Sequence, residues 1–326
     1  MTRKRTARSA PLPHREGLGP SRVRLPGDAP VTALALLTEV IGQQRHRHPE
    51  DDADAILQRF RDNEVVLRDG TALSPSSLVH PGTDVYFYRR PAPEQPVPFR
   101  IEVLHEDEDI MVVNKPPFLA TMPRASHITE TVTVRLRRAT GNDALTPAHR
   151  LDRATSGLLL LTKRREIRGA YQELFARREV RKEYEAIALL HDVPPATPWH
   201  HHLTKQSGEL AARLVPGAEP NASTVVAGVS RLSSAEELAL QTRYGVSGAL
   251  GRYVLQPETG RTHQLRVQMM TEAAPILGDR IYPTLLPADS EDFSAPMLLR
   301  CTGLEFTDPL SGDARDFRLT DDWPVF

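Results

Sequence analysis

The chain has almost no cysteine and no long apolar run. Cys301 is the single cysteine among 326 residues. One thiol excludes a disulfide framework and any cysteine-built zinc or iron–sulfur site, and it points to a reducing, cytoplasmic setting. No apolar stretch approaches the roughly 20 residues a bilayer requires. The longest, VTALALLTEVI from Val31 to Ile41, is broken by Thr and Glu, so no membrane partner is expected. No Walker-type phosphate loop and no G-x-G-x-x-G turn occurs, and no nucleotide cofactor is expected. The start, MTRKRTARSAPLPHR, is arginine-rich without the apolar core of a secretory signal, and its prolines argue against the amphipathic helix of a transit peptide. Residues 1–26 read as a disordered basic tail.

What is present is an ordinary soluble composition, 40% hydrophobic and 25% charged, with an uneven distribution of charge. Residues 1–26 carry seven Lys/Arg against one acid, Glu16. From Arg135 to Lys182 there are thirteen Lys/Arg against five acids, whereas from Pro287 onward nine acids face three arginines. A basic stripe in a neutral chain suits a protein that handles a polyanion. A helix face laced with salt bridges has the same signature, so charge alone decides nothing.

VTALALLTEVI and ADAILQRFRDN have helical spacing. NEVVLRDGTALSPSSLVHPGTDVYFYRR alternates like short strands around Asp69-Gly70 and Pro81-Gly82. Together they predict a small α+β module over residues 27–94. PAPEQPVPF then reads as a stiff linker, with a boundary near residue 95. Residues 95–326 predict strands at FRIEVLHED, DIMVVNKP, GLLLLTK, KEYEAIALL and GRYVLQPE, with helices at ETVTVRLRRATG, REIRGAYQELFARREV and RTHQLRVQMMTEA. Helices scattered irregularly among strands imply an α+β fold with a mixed, largely antiparallel central sheet and flanking helices.

PAHRLDRATSGLLLLTK, residues 147–163, sets Asp152 between Arg150 and Arg153 at the entrance to four leucines. An ordinary aspartate is ionised at neutral pH and can attack an electrophilic carbon without a neighbouring base. An acid between arginines can equally be a structural ion pair. A phosphate-accepting aspartate of the haloacid-dehalogenase type wants a second acid two residues on, where Ala154 stands. A serine-hydrolase elbow around Ser156 lacks the flanking glycine pattern. His200, His201 and His202 are consecutive and cannot share one metal ion, so they read as a loop or strand surface, and no metal site is expected.

HRLDRATSGLLLLTK resembles the catalytic motif of the RluA-type pseudouridine synthases, in which the aspartate of H-R-L-D-x-x-T-S-G is essential. The likeness continues in order. VVNKPPFLATMP (112–123) is similar to the family's lysine-proline segment and RKEYEAI (181–187) to its Lys-x-Tyr motif. GRTHQLRVQM (260–269) matches its Gly-Arg-x-His-Gln motif, PILGDRIY (275–282) the sequel, and LLRCTGLEFTDPLSG (298–312) the closing strand. The resemblance implies the pseudouridine synthase fold and isomerisation of uridine to pseudouridine within structured RNA, ribosomal or transfer, with no cofactor and no metal. Asp152 is the implied nucleophile, toward the sugar carbon or the uracil ring. Tyr184 is implied against the uracil and Arg266 as the partner of Asp152. Arg150, Thr155, Ser156, Lys115, Lys182, Arg261, His263, Leu265, Leu299 and Arg153 are the implied substrate-binding or RNA-binding set. Arg135, Arg137, Arg138, Arg153, Lys163, Arg164 and Arg165 are candidates for phosphate contacts. RNA is the expected partner and a monomer the expected state.

Phe118 and Met122-Pro123 stand where the family has Gly and His-Pro, and Val267-Gln268 where it often has Val-His. These departures bear on target identity. The N-terminal module resembles a degenerate form of the small RNA-binding domain often fused ahead of these synthases. Its role is either RNA docking or packing. The alternative from another class is a non-catalytic RNA-binding or ribosome-assembly factor on the same fold. A hydrolase built on Ser156 is a third reading.

Overall fold

The computed structural model describes residues 10–44, 46–287, 291–320 and 323. The chain divides into two units: residues 1–96 with 122–145, and residues 97–121 with 146–326.

The first unit contains strands β1 (Ser21–Arg24), β2 (Val31–Thr32), β3 (Val65–Leu67), β4 (Leu78–Val79) and β5 (Asp84–Phe87). Its helices are α1 (Ala33–Gly42), α2 (Ala53–Arg61) and α3 (Val132–Thr140). The sheet order β1-β5-β3 closes over α1 and α2 through Leu36, Leu37, Ile41, Ile56, Phe60, Val65, Val85 and Phe87. Both helices start where an oxygen accepts an orphan amide: the Thr32 side chain bonds Ala35 N–H and Asp52 bonds Ala55 N–H. The basic tail expected through residue 26 is corrected here. Residues 1–9 lie outside the described residues, but Ser21–Arg24 is a strand, because alternate side chains turn inward and its backbone pairs with β5.

The second unit contains β6 (Glu102–Glu106), β7 (Ile110–Lys115), β8 (Thr146–Pro147), β9 (Ser156–Thr162), α4 (Arg168–Ala176) and β10 (Arg181–Leu189). It continues with β11 (Thr197–His201), β12 (Leu203–Thr204), β13 (Arg213–Leu214), β14 (Ala222–Arg231), α5 (Ser234–Tyr244), β15 (Leu250–Pro257), α6 (Gln264–Glu272), β16 (Leu299–Thr307) and β17 (Ala314–Arg318). Eight strands run β11-β14-β15-β10-β16-β9-β7-β6, with β17 added to β16 and β8 to β9. Only β16 with β9 is parallel among the described pairings, so the sheet is mixed and largely antiparallel.

The four leucines of the opening motif are explained by position. β9 lies inside the sheet and every residue of it is buried, which demands apolar side chains on both faces. Full burial of each leucine contributes roughly 1.5–3 kcal/mol. Gly157 permits the parallel pairing. Its φ is 104°, and a Cβ there would lie 2.2 Å from the Cys301 carbonyl oxygen. α6 rests on the far end of the sheet, where Val267 packs with Leu203, Ala222 and Tyr282. Gln268 Nε2 donates to the Trp199 carbonyl, and Thr224 Oγ1 donates to Gln268 Oε1.

β11, β14 and α5 are additions to the expected set. His200 and His201 lie on strand β11. His201 bonds Glu272 at 2.8 Å, and among the described residues no group of three potential ligands is placed to hold a metal. Among the same residues no helix is long and apolar enough to cross a membrane.

Candidate active site

Asp152 sits in the loop between β8 and β9, and that loop is fastened on both sides of it. The Thr121 hydroxyl donates to the Leu151 carbonyl at 2.8 Å and accepts the Leu151 N–H at 3.2 Å. After Asp152, the ammonium of Lys115 donates to the carbonyls of Pro116, Leu119 and Arg153 at 2.8, 2.8 and 3.2 Å. Thr155 N–H closes the turn onto the Asp152 carbonyl at 3.1 Å. The backbone is held while the Asp152 side chain stays 22% exposed.

That side chain opens into a cleft of about 420 Å3. Arg150, Asp152, Thr155, Lys182, Tyr184, Arg261, His263, Leu265, Arg266 and Leu299 all line it, so ten sequence-selected residues converge there. Tyr184 comes from β10, opposite Cys301 of β16 beside a β-bulge at Glu183/Tyr184. Burial raises the pKa of its hydroxyl well above the usual tyrosine value, reinforced by Cys301 and Asp152, so it is a neutral phenol.

Arg266 arises in the first turn of α6 and is buried. Its Nε and Nη2 donate to the two oxygens of Asp279 at 2.7 and 2.6 Å. Nη1 lies 3.8 Å from Oδ2 of Asp152. Burial opposes the guanidinium charge, but Asp279 first and Asp152 next outweigh it and leave the pKa raised. The main partner of Arg266 is therefore Asp279, and Asp152 is a second, looser one. Leu265 and Leu299 supply an apolar wall. Lys182 donates to the Thr259 carbonyl at 3.2 Å, and Arg261 to the Asn221 carbonyl at 3.1 Å.

Three selected residues do not line the cleft. Lys115 is fully buried and serves three carbonyls, so the expectation that it touches RNA is corrected: it braces the loop that carries Asp152. Ser156 is buried with its hydroxyl toward the Leu299 carbonyl at 3.4 Å, which fits neither RNA contact nor a hydrolase nucleophile. The Arg153 guanidinium is engaged bidentately by Glu291 at 2.6 and 2.5 Å.

The basic stripe is corrected in the same way. Arg135 pairs with Glu130, Lys163 with Glu106, Arg164 with Asp109 and Arg138 with Glu16, while Arg137 donates to the Leu145 carbonyl. Most of the stripe is a salt-bridged surface.

Sequence reasoning passed over four contributors. Arg178, at a left-handed φ of 62°, lines the cleft beside Lys182. His149 stacks on Phe175 with ring centroids 4.3 Å apart, and its Nε2 accepts the Leu160 N–H. Asp279 and Tyr282 stand in the quoted PILGDRIY block; an acid preserved in a motif near a buried arginine is a readable signal. His149 opens the quoted HRLD motif, while Arg178 has no such signal, because only the fold brings it to the cleft.

Comparison with known proteins gives the class first. Residues 109–271 match the family described as RNA pseudouridylate synthase. An uncharacterized RNA pseudouridine synthase of Synechocystis sp. is 28% identical over 243 residues, 73% of this chain and 77% of that one. The ribosomal large subunit pseudouridine synthase D of Escherichia coli strain K12 is 29% identical over 283 residues, 81% of each chain. The dual-specificity RNA pseudouridine synthase RluA of Escherichia coli is 29% identical over 238 residues, 68% of this chain and 93% of that one. Human RNA Pseudouridylate Synthase Domain Containing 1 shares the fold, with a TM-score of 0.53 at 22% identity over 70% of this chain and 86% of that one. The chain belongs to the RNA pseudouridylate synthase family, in its RluA-type branch, and is an isomerase of uridine in RNA.

Proposed function

We propose that Asp152 is the nucleophile in converting particular uridines of a structured ribosomal or transfer RNA to pseudouridine. One observation carries the reading: the Asp152 carboxylate reaches a nucleotide-sized cleft with the Arg266 guanidinium 3.8 Å away, because Arg266 is already taken by Asp279. An oxygen that is oriented but not locked in a short ion pair keeps its lone pairs for an incoming carbon. About 420 Å3 falls inside the range of roughly 300–1,000 Å3 typical of small-ligand pockets.

The target uridine must leave its stack to reach this depth, at a cost of a few kcal/mol. Tyr184 offers a ring face to the uracil, and Leu265 and Leu299 a dry wall. Attack by Asp152 on C1′ or on the uracil ring starts the exchange. The N1–C1′ bond breaks, the base turns, C5 bonds to C1′, the bond to Asp152 is released to restore the carboxylate, C5 loses its proton and N1 gains one. A neutral Tyr184 suits a stacking and proton-donating role. Arg150 and Arg178 at the rim supply phosphate contacts that give affinity without sequence choice.

Every residue in this scheme lies between 95 and 326, which supports that span as the catalytic domain and a monomer as sufficient. The module at 27–94 is assigned to RNA docking. Incubation with RNA from a strain lacking this gene, followed by chemical mapping of pseudouridine, tests the reading. One or a few new sites are expected with the native chain; binding without any new site would refute it.

A further inference from the structure

The three-stranded sheet of the first unit has one face in the core and one turned outward. Val23, Val65, Leu67, Val85 and Phe87 belong to the core side. By strand alternation Arg22, Arg24, Arg68, Asp84 and Tyr86 lie on the other face. The register sets Arg22 opposite Tyr86 and Arg24 opposite Asp84. On the far side of β5 it sets Leu67 opposite Val85, which brings Arg68 alongside Asp84.

One carboxylate therefore faces three guanidinium groups. Arg24 takes both of its oxygens, Nε donating to Oδ1 and Nη2 to Oδ2, each at 2.9 Å. Nη1 of Arg22 and Nη1 of Arg68 come only to 3.8 and 3.7 Å from Oδ2, too long for hydrogen bonds, so their donors are left for another acceptor. All three arginine side chains are more than half exposed, whereas that of Asp84 is 6% exposed. The bonds from Arg24 hold the Asp84 carboxyl below its ordinary pKa, with the charges of Arg22 and Arg68 adding, so it is ionised at pH 7. Three cations against one anion leave this face with a surplus of two positive charges.

The helices of the same unit offer no comparable surface. α1 contains neither lysine nor arginine. In α2, Arg59 is buried and paired with Asp51 at 2.7 Å, and Arg61 donates to Gln58 at 2.9 Å. Arg15 is likewise engaged within the protein, with Glu64 at 2.5 Å and over the Tyr88 ring. An exposed basic group that its own fold does not neutralise, in a chain that acts on RNA, matches the charge of a phosphate backbone.

Building on the assignment of the N-terminal module to RNA docking, we propose that the outer face of β1, β5 and β3 is the docking surface. Arg22 and Arg68 each take one backbone phosphate of the substrate RNA. Asp84 keeps Arg24 in place between them and limits the mutual repulsion of the three cations. The contacts give affinity and orientation, not sequence choice.

Binding of the full-length protein to large-subunit ribosomal RNA transcribed in vitro, measured between about 50 and 200 mM salt, tests this. The double variant Arg22→Gln/Arg68→Gln should bind roughly tenfold more weakly, with the salt slope smaller by about 2, one for each phosphate contact. Arg22→Lys/Arg68→Lys keeps both charges and should keep the slope. In turnover the glutamine variant should show a raised KM with kcat within about twofold of native, because neither residue lines the catalytic cleft. An unchanged slope in the glutamine variant overturns the proposal whatever its affinity, as does an equal loss of slope in the lysine variant. If Arg61→Gln lowers the slope instead, the module docks RNA through α2 and only this face is refuted. If neither arginine set alters the slope, the docking assignment fails with it.

Discussion

At Asp152, charge is arranged to orient without neutralising. Arg266 could form a short bidentate pair with it, but Asp279 holds the fork at 2.6 and 2.7 Å. Asp279→Asn removes one member of a buried pair, so we expect about 3–5 kcal/mol of destabilisation. Survivors should show kcat lowered at least tenfold, as Arg266 turns onto Asp152; a Tm measurement and single-turnover kinetics check both. His149 gives a pH signature. Burial, with Lys182 adding, holds its pKa at about 3, against an ordinary 6.5. As pH falls below 6.5 the unfolded chain takes up this proton and the folded one does not, so stability is lost progressively from pH 6.5 toward 3. His149→Gln, which keeps an acceptor for the Leu160 N–H, should flatten the dependence of Tm on pH across that window. An unchanged slope would show that His149 is not the titrating group. The residues at this scale were legible where they stand in contiguous motifs: Asp152, Tyr184 and Arg266 meet at one cleft. Lys115 was legible as important but not in kind, since one cannot read from Lys-Pro-Pro that its ammonium folds back on three carbonyls.

The elements carrying the site depend on β9 lying against β16. Gly157→Ala meets both a positive φ and a Cβ 2.2 Å from a carbonyl oxygen, with no flexible side chain to yield. The pairing of Cys301 with Gly157 must open, and Tyr184 is registered on that same Cys301. Activity and Tm should fall together, by an order of 10 °C or more for the latter. Soluble protein with native Tm would contradict the geometry. The buried strands were readable because β9 is a short continuous apolar run and β10 turns Tyr184, Ala186 and Ala188 inward in alternation. α5 was missed for a physical reason: none of its residues is buried, so no apolar stripe marks it. Its signal lay at the end instead, in the Ser233–Glu236 capping box. β14 was overlooked although Ala222, Thr224 and Val226 alternate inward, because two of the three are small or polar.

For the whole molecule, the linker at PAPEQPVPF suggested a cut near residue 95, and the backbone divides between residues 96 and 97. The sequence held no sign that residues 122–145 would join the first unit. Glu94 explains part of it: its carboxylate accepts N–H bonds from Ile128, Thr129 and Glu130 at 2.9, 2.7 and 3.1 Å. A chain lacking residues 1–96 should therefore lose stability as well as RNA affinity, and Glu94→Ala alone should lower Tm by several degrees. A truncated chain with native Tm would contradict this. Charge over the whole chain was the least informative reading, since ion pairs absorb most of the stripe and leave Arg150 and Arg178 at the rim. Isomerisation replaces the hydrogen on uracil C5 with a bond to ribose, so tritium release from RNA carrying [5-3H]uridine counts turnovers directly. The native chain should release tritium, while Asp152→Asn, folded and still binding RNA, should release none above background. Release by Asp152→Asn at a rate near the native one would contradict the account.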